Sequence, residues 1–446
     1  MERRTCPLLP FQCLLLATWL LLPGCPKNPS AFVPEWGGAS PAIAGFHPAQ
    51  AAFGATLVIE GSHFGANAAD NVVKLNAVEA VVTLATPTRL EVTVPKDKAC
   101  GGQITVTVGG KTATSAAPFG YVPTVTVSTF VDVAGPGSEA GFSQPQGIAV
   151  DKAGNLYVAD TRNNRICKRT PEGKISTFAG STQGFADGPG NRAKFDWPEG
   201  ITLDAAGNLY VADRFNNRIR KVTPEGEVST LAGFDGHLGY ADGPGSTAEF
   251  QWPSGIAMDK AGNLYVADEG NERIRKITPE GEVSTLAGST DEHGNGGFAD
   301  GPGSAAKFNL PSDIAVDTAG NLYVVDQWNH RIRKVTPEGE VSTLAGSGEQ
   351  GTADGKGSAA QFRVPRGITL DAEGNLYVID NHHIRKVTLE GEVSLLAGGA
   401  AWNDWGLVDG PGSVARFDSP SNLTLDAEGN LYVLERSGRI RKLTLE

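Results

Sequence analysis

The chain lacks an excess of positive charge, a cysteine framework and a membrane-length apolar run, and each absence removes a class of protein. Its 38 Lys and Arg are outnumbered by 50 Asp and Glu, for a formal net charge of −12. Binding a phosphate backbone requires a basic footprint, so nucleic acid is excluded as a partner. The negative surplus instead fits a soluble, self-repelling surface. Of five cysteines, Cys6 and Cys13 lie in an N-terminal apolar segment and Cys25 ends it. Only Cys100 and Cys167 remain, enough for one bridge or two free thiols but not for a disulfide scaffold. The apolar stretch Leu8 to Leu22 is too short to read first as a spanning helix. No Ser-His-Asp or Cys-His constellation stands out. The Gly-rich loops are not followed by the Lys of a phosphate-binding loop.

What the chain has is repetition. GNLYVAD begins at Gly154, Gly207, Gly262 and, with small changes, at Gly320, Gly374 and Gly429, in steps of 53 to 58 residues. A repeat of roughly this length built from short strands is the sequence mark of a propeller blade. The chain stops at RIRKLTLE, one strand short of a sixth repeat, and the missing strand stands upstream as Val127-Ser128-Thr129-Phe130. The expectation is an all-β protein: a β-sandwich, then a six-bladed propeller over 124–446 closed by an N-terminal strand.

Ahead of the repeats, residues 1–25 read as an export signal, with Arg3 and Arg4 at its start and Leu22-Pro23-Gly24-Cys25 at its end. That ending resembles the lipobox of bacterial lipoproteins, with Pro at −2 as a departure. The resemblance implies lipidation at Cys25 and anchoring in the bacterial cell envelope, facing periplasm or exterior; cleavage without lipid would make the protein secreted. Residues 26–39 are a Pro/Gly/Ser-rich tether. Residues 40–123 alternate as strands, including Thr56–Ile59, Val72–Leu75, Leu90–Val94 and Ile104–Val108. With GSHFG at Gly61–Gly65, VTVP at Val92–Pro95 and the closing Phe119-Gly120-Tyr121, this part resembles the IPT/TIG family of immunoglobulin-like modules. That implies a spacer or binding module without chemistry.

Within a repeat, four strands a to d are expected, joined by DxxGN between a and b and by T(P/L)EG between c and d. The Asp of DxxGN reads as a turn cap, since one carboxylate per loop is too few for Ca²⁺. The Tyr of GNLYVAD reads as packing between blades. Strand c carries RIRK, expected to pair with Glu225 and Glu227 on an exposed outer sheet. Cys167 stands where the other repeats have Arg220, Arg275, Arg333, Arg385 and Arg441, which argues that the slot lies outside the deep core. The motifs GIAVD, GNLYVAD and NNRIR together resemble the NHL-repeat family, which implies a six-bladed propeller. His382-His383 in a shortened fifth loop and Glu435 in the last repeat depart from the pattern.

The a–b and c–d turns share one face and are monotonous. The b–c loops and d–a connections share the other and vary, which is where recognition concentrates. Candidate ligand-binding residues on that face are Arg214, Phe215, Trp328, Asn329, His330, His382, His383, Trp402 and Trp405. The d–a connections also share ADGPG and a Phe three residues before Pro, expected to be a packed structural anchor. The reading is an exported binding protein that presents the propeller face and the sandwich to a protein or glycan, with no cofactor and with a lipid as its membrane contact. The alternative is a metal-dependent propeller hydrolase or lyase, with Ca or Zn at the central channel. His330 with His382 or His383 would give two of its ligands, with Asp326 or Asp380 adding a third.

Overall fold

The computed structural model describes residues 39–95, 102–122, 124–132, 141–234, 237–399 and 404–445. Cys25, Cys100 and Trp402 lie outside them. Strands dominate, and helical structure among the described residues is confined to three-residue 3₁₀ turns. The N-terminal sandwich contains all four expected strands, as Thr56–Ser62, Asn71–Leu75, Arg89–Thr93 and Gly102–Val108. Their alternate residues Leu57, Ile59, Val73, Leu75, Leu90, Val92, Ile104 and Val106 form its core.

The six repeats fold as six blades. In blade 2 the strands are Pro198–Leu203 (a), Leu209–Asp213 (b), Arg218–Val222 (c) and Glu227–Ala232 (d). Each pairs antiparallel with its neighbour. The innermost strands a contact one another in sequence and close from the sixth to the first. The sixth blade takes its outer strand from Val125–Val131, paired with Ile440–Leu445 so that Leu443 faces Val127 and Lys442 faces Ser128. The closure read from the repeat phase is therefore present.

Both turns behave as their sequences dictate. Asp204 Oδ1 accepts from the backbone of Ala206 and Asn208, and its Oδ2 accepts from the Asn208 amide. Gly207 (φ 87) and Gly226 (φ 87) supply the left-handed residues. The Tyr210 hydroxyl also donates to Asp204 Oδ2 at 3.2 Å while its ring packs into the cluster shared with blade 3. Interblade packing is thus the Tyr role.

Strand c corrects the sequence reading twice. Arg220, Arg275, Arg333 and Arg441 have no exposed area, and Arg385 is 1% exposed; the slot is deep core, and Cys167 in it is buried as a free thiol. Nor does Arg220 pair with Glu225 or Glu227 among the described residues, and Arg441 takes Glu435 of strand b, in the slot where other blades have Asp. Arg220 donates to Asp213 Oδ2 (2.7 Å), Asp187 Oδ1 (2.5 Å) and the carbonyls of Lys194 and Ala186. It also stacks on Phe195, itself fully buried. The planar guanidinium satisfies two carboxylates and two carbonyls at once, which makes burial of its charge tolerable. Lys221 lies over the Tyr210 ring instead of against Glu. The ADGPG connection thereby gains its role: its Asp187 anchors the buried Arg and caps Thr230. Gly188–Pro189 pairs with strand d and covers the outer edge of the blade.

Candidate functional site

Two residues per repeat escape the monotony of the inner wall. One follows the Pro that opens strand a: Gln146, Glu199, Ser254, Ser312, Arg366 and Ser421. The other opens the b–c loop: Thr161, Arg214, Glu269, Gln327 and Arg436, with no equivalent in the shortened fifth loop. Together these positions surround one end of the central channel, and most of them line a cavity of about 370 Å³ there. That volume lies within the range of small-ligand sites. Strand geometry places the rings: each strand a starts at this face and runs down the channel wall, while each b–c loop turns over its rim.

The waist below is narrow because the strands nearly touch. A Cβ at Gly200 would lie 2.3 Å from the Ser254 carbonyl oxygen, and one at Gly255 would lie 2.4 Å from Asp313 Cα. Where the other four repeats have Gly, the fourth has Asp313 and the sixth has Asn422. These two bound the mouth cavity from below and also line a lower channel chamber of about 260 Å³. Asp313 Oδ1 accepts from Ile314 N (2.9 Å) and its Oδ2 from Ile368 N (2.9 Å), with the Asn422 amide at 3.4 Å. Burial nevertheless pushes its carboxyl up to about 7.

The small hydroxyls of the two rings are spent on the scaffold. Ser254 donates to the Ser312 carbonyl (3.0 Å), Ser312 to that of Arg366 (2.9 Å), Ser421 to that of Pro145 (2.8 Å) and Thr161 to that of Pro198 (2.7 Å). Each ties one blade to the next. The long side chains form a separate network. Arg214 forks onto both oxygens of Glu269 (2.8 and 2.7 Å) and reaches Glu199 Oε2 (3.1 Å). Glu199 Oε1 accepts from Gln146 (3.0 Å), whose Oε1 accepts from Arg436 (3.2 Å). Burial raises Glu199 to about 7 despite Arg214. Burial pulls Arg214 down, but the two carboxylates outweigh it and leave the guanidinium above its ordinary value. Arg366 makes neither hydrogen bond nor ion pair among the described residues; burial, then repulsion from Arg436, lowers it and outweighs the attraction of Glu269 and Glu199 across the mouth. At the rim Trp197 and Phe215 stand 5.6 Å apart at 39°.

The structure separates the residues expected to bind. Arg214 and Phe215 line the cavity. Trp328 and Trp405 lie on the same face as single exposed side chains, 63% and 65% exposed. Asn329 is a loop strut, donating to the Gly297 carbonyl (2.7 Å) and to Asp326 (2.9 Å), as Asn216 does in blade 2. His330 is the left-handed residue ending its 3₁₀ turn, φ 52. Burial lowers its pKa and that of His382, so both rings are neutral near pH 7. His383 begins strand c of blade 5 and is buried. Among the described residues no three His, Cys, Asp or Glu side chains are grouped to hold a metal, so the donor set for Ca or Zn does not assemble from His330, His382, His383, Asp326 and Asp380. Asp326 and Asp380 instead pair with the buried Arg333 and Arg385.

The sequence reading missed Gln146, Glu199, Glu269, Asp313, Arg366, Asn422 and Arg436. The signal was present: aligned repeat by repeat, the two positions after the Pro of strand a and the one that opens the b–c loop differ while the strand residues beside them hardly change.

Compared with known proteins, residues 41–121 match the model of the IPT/TIG domain, and residues 142–168, 195–222, 250–277 and 308–335 match that of the NHL repeat. The two unmatched blades are the one with the shortened b–c loop and the one with Glu435. Protein SUPPRESSOR OF QUENCHING 1, chloroplastic, of Arabidopsis thaliana is 28% identical over 260 residues, 55% of this chain and 25% of that protein. NHL repeat-containing protein 2 of Homo sapiens is 29% identical over 312 residues, 61% of this chain and 43% of its own length. The chain therefore spans less than half the length of these relatives. A solved structure described as an auxiliary nutrient binding protein from Bacteroides thetaiotaomicron superposes with a TM-score of 0.54 at 18% identity, covering 92% of this chain and 98% of that one. At that identity the likeness is one of fold.

Proposed function

We propose that this chain, an IPT/TIG domain followed by a six-bladed ring of NHL repeats, is an exported binding protein whose propeller takes a small polar ligand, such as the end of a glycan, at the mouth of its channel. The observation that carries the reading is the cavity itself. It sits where the repeats stop repeating, and it gathers charged side chains, among them Arg366, which no carboxylate contacts directly among the described residues. Structural demand alone would have placed the same small residue in every repeat, as it did in the turns of the opposite face. The description of one fold neighbour as a nutrient binding protein is consistent with this reading. Attachment through a lipid on Cys25 would hold the protein at the cell envelope, with the sandwich as spacer; cell fractionation of a Cys25→Ser variant tests this.

The pocket is tested by closing it. Gln327→Trp places an indole at the rim from a loop-opening position. A panel of monosaccharides, amino acids and small organic acids is screened by thermal shift and calorimetry against wild type and variant. Ligands that stabilise wild type should lose most of their effect on Gln327→Trp. Panel members that bind both proteins equally, or no panel member binding wild type, would overturn the assignment.

A further inference from the structure

Charge at the channel mouth is sorted by position. Because the strands a touch in ring order, blades 5 and 6 face blades 2 and 3 across the axis. On blades 2 and 3, two carboxylates, Glu199 and Glu269, share one guanidinium, Arg214. On blades 5 and 6 stand two guanidiniums, Arg366 and Arg436. Neither forms an ion pair among the described residues, and Arg436 has only the neutral Gln146 amide. One wall is thus short of positive charge and the other short of negative charge.

Glu269 and Glu199 attract Arg366 only from across the mouth, and burial with repulsion from Arg436 outweighs them; a cation so incompletely compensated in a buried wall weakens the fold. Such an arrangement is what a site looks like when its counter-charge arrives with the ligand. Arginine's planar fork matches a carboxylate bidentately. A doubly charged phosphate fits less well, because Asp313 forms the floor and Glu199 and Glu269 face the gap. The same glutamates are acceptors for a donor-bearing end of the ligand, and the Trp197 and Phe215 rings offer an apolar flank at the rim.

We propose that the channel mouth selects a small carboxylate carrying hydroxyl or amino donors, its carboxylate held by Arg366 and Arg436 and its donors turned toward Glu199 and Glu269. The proposal rests on the pocket reading above and names the ligand class. A sugar acid and an α-amino acid share this chemistry.

Isothermal titration of the full-length protein at pH 8 distinguishes them. D-glucuronate is compared with D-glucose, and L-serine with ethanolamine, each pair keeping the frame and losing the carboxylate. At least one acid is expected to bind, at least tenfold tighter than its carboxylate-free partner. Arg366→Gln should weaken that acid at least tenfold, while its melting temperature stays at or above that of wild type. A merely structural arginine would instead lower the melting temperature. Failure of both acids to bind, glucose or ethanolamine binding as tightly as its acid, or an unchanged affinity in Arg366→Gln would each overturn the proposal. Glucose binding that is abolished by Gln327→Trp would overturn the charge selection and leave the pocket standing. Acid binding that survives Gln327→Trp would overturn the pocket.

Discussion

At the scale of single residues, the buried arginines set the energetics of each blade. Arg275 joins Asp268, which has no exposed area, to Asp242 on the d–a connection. Removing the guanidinium leaves Asp268 buried without its counter-charge. Arg275→Met is therefore expected to lose about 3–5 kcal/mol in urea unfolding. Adding Asp268→Asn should recover part of that loss, because no buried charge then remains; a double variant no more stable than the single would contradict this. The sequence hid the role of this residue for a physical reason. In an isolated sheet, alternation separates a wet face from a dry one, but a propeller blade is packed against a neighbour on both faces. The pattern R-I-R-K then says nothing about exposure, and Arg220 was read as a surface charge. Its partner Asp187 lies 33 residues away on a loop that looked merely glycine-rich.

At the scale of elements, strand a both builds the ring and carries the site. The turns of each blade were legible, because Gly and Asp in them follow local rules. The site residues on strand a were not, because Glu199 and Arg366 occupy positions whose neighbours are ordinary; only comparison across repeats exposes them. Asp313 in this ring makes a pH-dependent contribution whose sign follows from its burial. Unfolded, an Asp gives up its proton near pH ~4; folded, Asp313 does so at about 7. Between those values the native state holds more protons than the unfolded one, so stability falls as pH rises through that window. Asp313→Asn is expected to melt with a shallower fall in melting temperature from pH 4 to 7, even if its absolute melting temperature drops through altered hydrogen bonding to Ile314 and Ile368. A slope equal to wild type would show that another carboxyl dominates; Glu199, also raised to about 7, is the first alternative.

At the scale of the molecule, blade number and closure were readable from the repeats, since six copies recur and a strand matching the outer one of each blade stands ahead of the first. The sorted charge around the mouth was not readable, because it depends on which blades face each other across the axis. Placement in the envelope belongs to this scale too. A lipid on the N-terminal cysteine would leave the whole of the sandwich and ring outside the bilayer, and among the described residues no helix is long and apolar enough to cross a membrane. Cys25→Ser is expected to move the protein from the membrane pellet to the soluble fraction while its melting temperature is unchanged. Equal pelleting of both forms would remove the lipid anchor from the account.

The borrowed strand also dictates an order of events during biogenesis. Val125–Val131 is made before any blade of the ring, yet its partner Ile440–Leu445 is made only after the other five blades. Until that partner is made, the early segment has no edge of its own blade to join, and five blades stand as an open arc with a sticky side at each end. The segment must therefore be kept from mispairing while all the intervening blades are made, and any route that separates it from Ile440–Leu445 yields a ring that never latches.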